Sequence, residues 1–322
     1  MNLRANIEVG TKFQPPELTV IIPFYGNSKE LSKCLEGLEN QVFSHEFEII
    51  VAESGNNAGV KDLVNSLHNA KLISSTSLMY PGKARNSGVK GSKSELLAFI
   101  DADCVPVTGW IAEIYSSLKN GYDIVIGPVV NLYPFHPLAS VDNLFLFSDF
   151  QKHRTSKNFE HFAGCNFGIT RNLFNKVGGF NEEMEIAEDT KFSEPVLQKG
   201  KIHFNKKMIV KHSGRKNLTS FKRHHASFGF YKGYLNLKES NAENKLRKNY
   251  FYPVLSGFRR IIYISVRTLQ WNPAGLLRVI FFSPFLFIGI LSWIKGFREG
   301  QSKYLLERSS PTYSAIKNKP ET

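Results

Sequence analysis

Leu96-Leu-Ala-Phe-Ile-Asp-Ala-Asp-Cys-Val-Pro106 decides how the rest of the chain reads. An apolar run of strand length ends in two aspartates, Asp101 and Asp103, so both carboxylates lie near one strand end. Carboxylates withdrawn from water are costly unless a cation or hydrogen-bond donors compensate them, and two together at a strand end point to a hard divalent metal, Mg²⁺ or Mn²⁺. An Asp-x-Asp also forms an Asx turn ahead of a helix, here the one after Pro106, so the flanking sequence has to decide.

Upstream, Leu18-Thr-Val-Ile-Ile-Pro-Phe24 reads as a buried strand ended by Pro23 and the Tyr25-Gly26-Asn27 turn, followed by a helix with Leu31, Cys34, Leu35 and Leu38 on one face. Phe47 to Ala52 is a second strand running into the loop Glu53-Ser-Gly55. A helix over 60–67, a strand over 71–74 and a helix over 82–93 lead to the central strand. Downstream, Trp110, Ile111, Ile114 and Leu118 mark a helix stopped by Gly121, and Asp123 to Val130 a further strand. Residues 131–160 read as a long loop or broken helix. Gly164 to Thr170 leads into a helix over Arg171 to Val177 that Gly178-Gly179 breaks, and Glu188-Asp189 opens another. Strands alternating with helices predict an α/β, Rossmann-like, doubly wound and mostly parallel sheet whose ligands sit outside the strands' carboxyl ends. The loops at Tyr25, Glu53 and Asp101-Ala-Asp103 converge there. No G-x-G-x-x-G follows the first strand and no G-x-x-x-x-G-K-[ST] occurs, which removes support from dinucleotide and P-loop chemistry.

At 322 residues the chain can bury a large core. Its three cysteines form no CxxC pair, which argues against a zinc cluster or disulfide scaffold and fits a reducing cytosol. The net charge of +13 is regional: between Lys199 and Arg260 sixteen Lys/Arg face only Glu239 and Glu243, a local balance of +14. Beside an apolar segment, that pattern favours anionic lipid headgroups as partners over nucleic acid. The first residues contain no apolar core of signal-peptide length.

The order of motifs resembles the family-two glycosyltransferases, inverting enzymes of GT-A fold. The matching stretches are Val20-Ile-Ile-Pro-Phe-Tyr25, Ile49-Ile-Val-Ala-Glu-Ser-Gly55, Gly82-Lys-Ala-Arg-Asn-Ser-Gly88, Phe99-Ile-Asp-Ala-Asp103, Gly164-Cys-Asn166, Val177-Gly-Gly-Phe180 and Glu188-Asp189. The resemblance implies a nucleotide-sugar donor whose base meets Pro23, Tyr25 and Glu53, with Arg85 at the nucleotide or its diphosphate and Asp101 at the ribose. It implies Asp103 as metal ligand, with His212 as a further one, and Asp189 as the base that deprotonates the acceptor hydroxyl. Glu188 is then an orienting or structural acid. Glu53 stands where the family usually has aspartate; UDP is favoured over dTDP or GDP. The acceptor is expected to be a cell-envelope glycan or a lipid-linked one.

Residues 1–17 read as a tail, 18–215 as the catalytic domain, and 216–322 as a basic, amphipathic and apolar helical region that associates with membrane lipids. Pro253 to Gln270 places Val254, Phe258, Ile261 and Leu269 along one helical face, with Arg259, Arg260 and Arg267 elsewhere. Val279 to Ile294 is uncharged but interrupted by Pro284, and its length of about 24 Å falls short of a hydrocarbon core of about 30 Å. A membrane-embedded or re-entrant hairpin, with the catalytic domain on the cytoplasmic face, is the expectation; two core helices packed on the catalytic domain are the alternative. Competing functions are a metal-dependent nucleotidyltransferase, which would carry a Gly-rich basic loop where Pro23-Phe-Tyr-Gly26 stands, and a non-catalytic membrane-bound nucleotide-sugar-binding protein.

Overall fold

The computed structural model describes residues 15–26, 28–55, 57–155, 158–238 and 251–309. Most of the tail expected over residues 1–17 lies outside them, as do Asn27 and the 239–250 part of the basic stretch. In chain order the elements are β1 (Leu18–Phe24), α1 (Ser28–Glu39), β2 (Phe47–Ser54), α2 (Ala58–Asn65), β3 (Ala70–Ser75), α3 (Pro81–Gly91), β4 (Leu96–Ile100), β5 (Cys104–Pro106), α4 (Trp110–Lys119), β6 (Ile124–Ile126), β7 (Val129–Asn131) and α5 (Pro137–Phe147). There follow β8 (Asn166–Thr170), α6 (Arg171–Val177), α7 (Glu188–Lys199), β9 (Ile202–Phe204), β10 (Val210–His212), α8 (Leu218–Lys238), α9 (Tyr252–Trp271), α10 (Pro273–Phe281) and α11 (Ser283–Ser309).

β1, fully apolar on both faces but for Thr19, sits between β2 and β4, with Leu18 opposite Phe47 on one side and Leu96 on the other. The large sheet has the order β3-β2-β1-β4-β8-β6-β9, parallel except where β8 pairs antiparallel with β4 and β6. The carboxyl ends of β1, β2 and β4 therefore share one edge, the one expected to hold ligands. A smaller sheet has the order β5-β10-β7, β10 being antiparallel to β5 and parallel to β7. Its register sets His212 opposite Cys104, the residue after Asp103, and opposite Asn131 on the other side.

Two local readings change. The strand expected over Asp123 to Val130 is interrupted at Gly127-Pro128, because proline has no N–H to give a ladder; β6 and β7 then join different sheets. The stretch 131–160 contains α5, whose first residue is Pro137, preorganised for a helix start.

Many of the phenylalanines serve the core under the sheet's active edge. Phe99 stacks on Phe167 with ring centroids 4.5 Å apart, and Phe180 stacks on Phe192 at 4.0 Å. A second apolar core joins Val141 and Phe145 of α5 to Phe221 of α8, Ile264 of α9, Val279 of α10 and Ile290, Trp293 and Phe297 of α11. Helices α8 and α11 touch backbone to backbone. A Cβ added at Gly229 or Gly233 would lie 2.0 Å from the carbonyl oxygen of Trp293 or Phe297, and one at Gly296 or Gly300 would lie 1.9 Å from that of Ala226 or Phe230. Glycines four residues apart on both helices make this approach possible.

The apolar run Val279 to Ile294 is not one helix: it breaks at Phe282, and Pro284 falls in the first turn of α11, where a missing N–H costs nothing. Among the described residues no single helix is long and apolar enough to cross a membrane; α10 and α11 meet that test only together, bent by 73°.

Candidate active site

Helix α3 packs on β1 and β2, and Arg85 points from it into the protein, 3% exposed. Its Nη2 donates to Oδ1 of Asp101 at 2.7 Å and its Nη1 to Oε1 of Glu188. Burial pushes the carboxyls of Glu188 and Asp101 above the ordinary carboxylate range, against the pull of Arg85. Burial would also weaken the guanidinium's hold on its proton, but the charges of Asp101, Glu188 and Asp189 outweigh it and raise the pKa of Arg85. Arg85 is thus spent on two carboxylates, tying the strand-end loop to the start of α7.

Asp189 is the next residue along α7 and is half-buried. Its Oδ2 accepts from the N–H of Gly164 at 3.0 Å and its Oδ1 from the N–H of Thr190 at 2.7 Å. A side chain at position 164 would press on this carboxylate: an added Cβ lies 2.9 Å from Cβ of Asp189 and 3.1 Å from Nη2 of Arg85. The N-cap, Ala187, has φ 65°, the left-handed region, and is the one non-glycine residue with positive φ among those described. Such strain persists only where the surroundings hold it, and here it aims Glu188 inward and Asp189 along the helix start.

Asp103 faces other partners. Its Oδ2 lies 3.3 Å from Nε2 of His212 and 3.1 Å from Nη1 of Arg215. Burial would raise its pKa, but His212 and Arg215 hold the carboxyl well below the usual range; Asp103 in turn raises His212 despite the burial of the imidazole. Arg215 also donates its backbone N–H to Oδ2 of Asp142, a fully buried carboxylate whose Oδ1 lies 3.1 Å from Nε2 of His225.

Of the residues expected at the nucleotide base, Tyr25 is 74% exposed at the strand edge and Pro23 precedes it in β1. Glu53 is buried and already engaged: Oε1 accepts from the N–H of Asn57 at 2.8 Å and Oε2 from Ser74 at 3.0 Å. Position 53 therefore also fixes the start of α2. The structure brings Arg85, Asp101 and Asp189 together as one group and Asp103 and His212 as another. Arg215 and Asp142 were missed by sequence reading, because only the long-range pairing of β10 with β5 brings the residues after His212 to Asp103. His225 is buried between Phe221, Phe145 and Asp142.

A divalent metal fits the second group by its chemistry. Asp103 offers a hard oxygen and His212 an imidazole nitrogen suited to Mn²⁺, and the Arg215 guanidinium beside Asp103 already supplies positive charge there. Among the described residues no cluster of three or more His, Cys, Asp or Glu forms a complete cage, so phosphate oxygens and water would have to finish the shell.

The sequence profile of the family described as Glycosyl transferase family 2 matches residues 19–178, which carry Arg85, Asp101 and Asp103 but end before Glu188, Asp189 and His212. The chain belongs to this family. It is 27% identical over 200 residues to "Glycosyltransferase AglE" of Haloferax volcanii, the match covering 60% of this chain and 61% of that protein. It is 23% identical over 295 residues to the "GalNAc(5)-diNAcBac-PP-undecaprenol beta-1,3-glucosyltransferase" of Campylobacter jejuni, covering 87% of this chain and 94% of that one. The chain thus spans less than two thirds of the first of these relatives. Among solved structures, a mannosyltransferase from Pyrobaculum calidifontis in complex with GDP-Man and Mn²⁺ aligns with a TM-score of 0.57 at 15% identity, over 92% of this chain and 89% of that one. That likeness shows a shared fold, a mixed α/β architecture around a mostly parallel sheet.

Proposed function

We propose that this family-2 protein transfers a sugar with inversion from a nucleoside-diphosphate sugar, a UDP-sugar being the expected form, to a hydroxyl of a glycan or lipid-linked acceptor in cell-envelope synthesis. The observation that carries the reading is Asp189: a half-buried carboxylate at the start of α7, held by two backbone N–H groups and joined through Glu188 and Arg85 to Asp101 at the strand edge. Asp189 takes the proton of the acceptor hydroxyl as its oxygen bonds to the anomeric carbon, and the bond from that carbon to the diphosphate breaks on the opposite face. Pro23, Tyr25, Glu53 and Asp101 form the nucleoside side of the site. Arg85, buried and doubly paired, acts there by positioning Asp101. Asp103 and His212 would hold Mg²⁺ or Mn²⁺, which supplies charge neutralisation on the leaving diphosphate. Arg215 adds a fixed cation at the same place.

Attachment to the cytoplasmic face of a membrane is part of the reading, with membrane lipids as partners and nucleic acid not among them. It is supported by the apolar side chains that α9 and α10 leave in solvent, among them Leu255, Ile262, Leu277 and Phe281, next to Arg259, Arg267 and Arg278. A donor screen tests the function: purified protein with Mn²⁺ is offered UDP-, dTDP- and GDP-sugars, and hydrolysis or transfer is followed by mass spectrometry and anomeric NMR. Turnover of a nucleotide sugar that stops with EDTA and in Asp103→Asn, and an inverted product, is the expected result. No turnover with any donor, or turnover indifferent to EDTA, contradicts the donor or the metal part respectively.

A further inference from the structure

A pocket of about 260 Å³ lies behind the metal-type group, between β7, α5 and the corner where α9 turns into α10. It shares a wall with the site: the ring of Phe147, which lines it, packs on His212 with centroids 4.9 Å apart, and its residue Asn131 is the β7 partner of His212. Its chemistry is one-sided. Lys152, His153 and Arg278 stand among its described lining residues, which include no aspartate or glutamate. Nδ2 of Asn143, another lining residue, is buried and has no hydrogen-bond partner among the described residues, a donor left waiting where buried donors are normally paired. Cations and an unused N–H donor with no acceptor carboxylate select an anion, and arginine and lysine with amide donors suit phosphate oxygens.

The position of the pocket says where such an anion comes from. Arg278 belongs to α10, and on the same helix Leu277 is 72% and Phe281 81% exposed. A phosphate seated between Arg278 and Lys152 has an apolar path along α10 for anything attached to it. We propose that this pocket binds the phosphate or diphosphate headgroup of a lipid-linked acceptor, holding it beside the donor site while its chain lies against α10. This deepens the glycosyltransferase reading and rests on it.

Full-length protein saturated with UDP and Mn²⁺, so that the donor site is filled, is titrated calorimetrically with geranyl diphosphate, geraniol and inorganic diphosphate. Geranyl diphosphate is expected to bind at least about tenfold more tightly than either of the other two, and Arg278→Gln with Lys152→Gln to weaken it by about tenfold or more. Asn143→Leu, which removes the waiting donor without touching the cations, weakens it as well. UDP affinity stays at the wild-type value in all three substituted positions. Equal binding of geraniol and geranyl diphosphate, or indifference to these substitutions, overturns the headgroup site. Inorganic diphosphate binding as tightly as the prenyl compound assigns the pocket to free phosphate and overturns the lipid source. Failure of wild-type protein to bind UDP at all is a failure of the donor reading instead, and is seen in the first titration.

Discussion

Replacing Arg85 by methionine removes the one cation shared by Glu188 and Asp101 while keeping most of the apolar stem. Arg85 is 3% exposed and the Glu188 side chain 8%, so water cannot take over the role of the guanidinium at Glu188; the Asp101 side chain, at 35%, is partly rescued by solvent. Stranding a buried carboxylate costs about 3–5 kcal/mol unless the group takes up a proton. Protonation sets the ceiling: burial already pushes Glu188 up to about 7 beside Arg85, so at pH 5.5 the carboxyl is neutral in either protein, and holding it neutral at pH 7.5 costs the variant about 1 kcal/mol more than the wild type. Near and above pH 7 the folded variant keeps a proton that the folded wild type releases, so the difference between the two grows with pH there. Urea unfolding followed by far-ultraviolet circular dichroism at pH 5.5 and 7.5 measures it. Arg85→Met with Glu188→Gln, which leaves no charge to strand, is expected to recover most of the loss at pH 7.5. A cost that does not grow between pH 5.5 and 7.5 refutes the assignment of Arg85 as the buried partner of Glu188.

His224, pushed down to about 3 by burial and by Arg215 nearby, stays neutral in the folded chain. Stability is therefore present above pH 6.5 and falls below it, by up to about 1.4 kcal/mol per pH unit from this residue, a slope that His224→Phe should flatten in acid unfolding curves. Gly229→Leu drives a side chain into the Trp293 carbonyl of α11 and is expected to cost about 3 kcal/mol or more, with faster amide hydrogen exchange in α8 and α11; unchanged exchange contradicts the close crossing. Full-length protein should pellet with anionic vesicles and lose part of that binding at high salt, whereas Leu277→Glu with Phe281→Glu should stay in the supernatant; equal partitioning removes α10 from the attachment face.

The sheet was legible because its strands are short apolar runs closed by Pro, Gly or acid, and Leu18 to Phe24, Phe47 to Ala52 and Leu96 to Ile100 each carry that signature. The places of Asp101 and Asp103 after a strand end and of Asp189 at a helix start were legible, because a carboxylate there stands out locally. What surrounds them was not. Arg215 reaches Asp103 only because β10 crosses to pair with β5, and no periodicity encodes a pairing across about a hundred residues. Arg85 read as a group for the nucleotide, whereas burial between two carboxylates depends on where α7 begins. The Gly-x-x-x-Gly pairs at 229–233 and 296–300 also went unread, since each is informative only once the other helix is known to face it. The break at Phe282 escaped notice because Pro284 reads equally as a kink or as a helix start.

Single-turnover transfer by Asp189→Asn, measured beside nucleotide-sugar affinity, tests the central claim most directly. Asparagine keeps the size of the side chain and an oxygen for the Gly164 and Thr190 N–H groups but cannot take the acceptor's proton. Donor affinity is expected to remain at the wild-type level while transfer falls by about 10²-fold or more, with Glu188→Gln the milder of the two variants. Near-normal transfer by Asp189→Asn would contradict the account and remove Asp189 as the base.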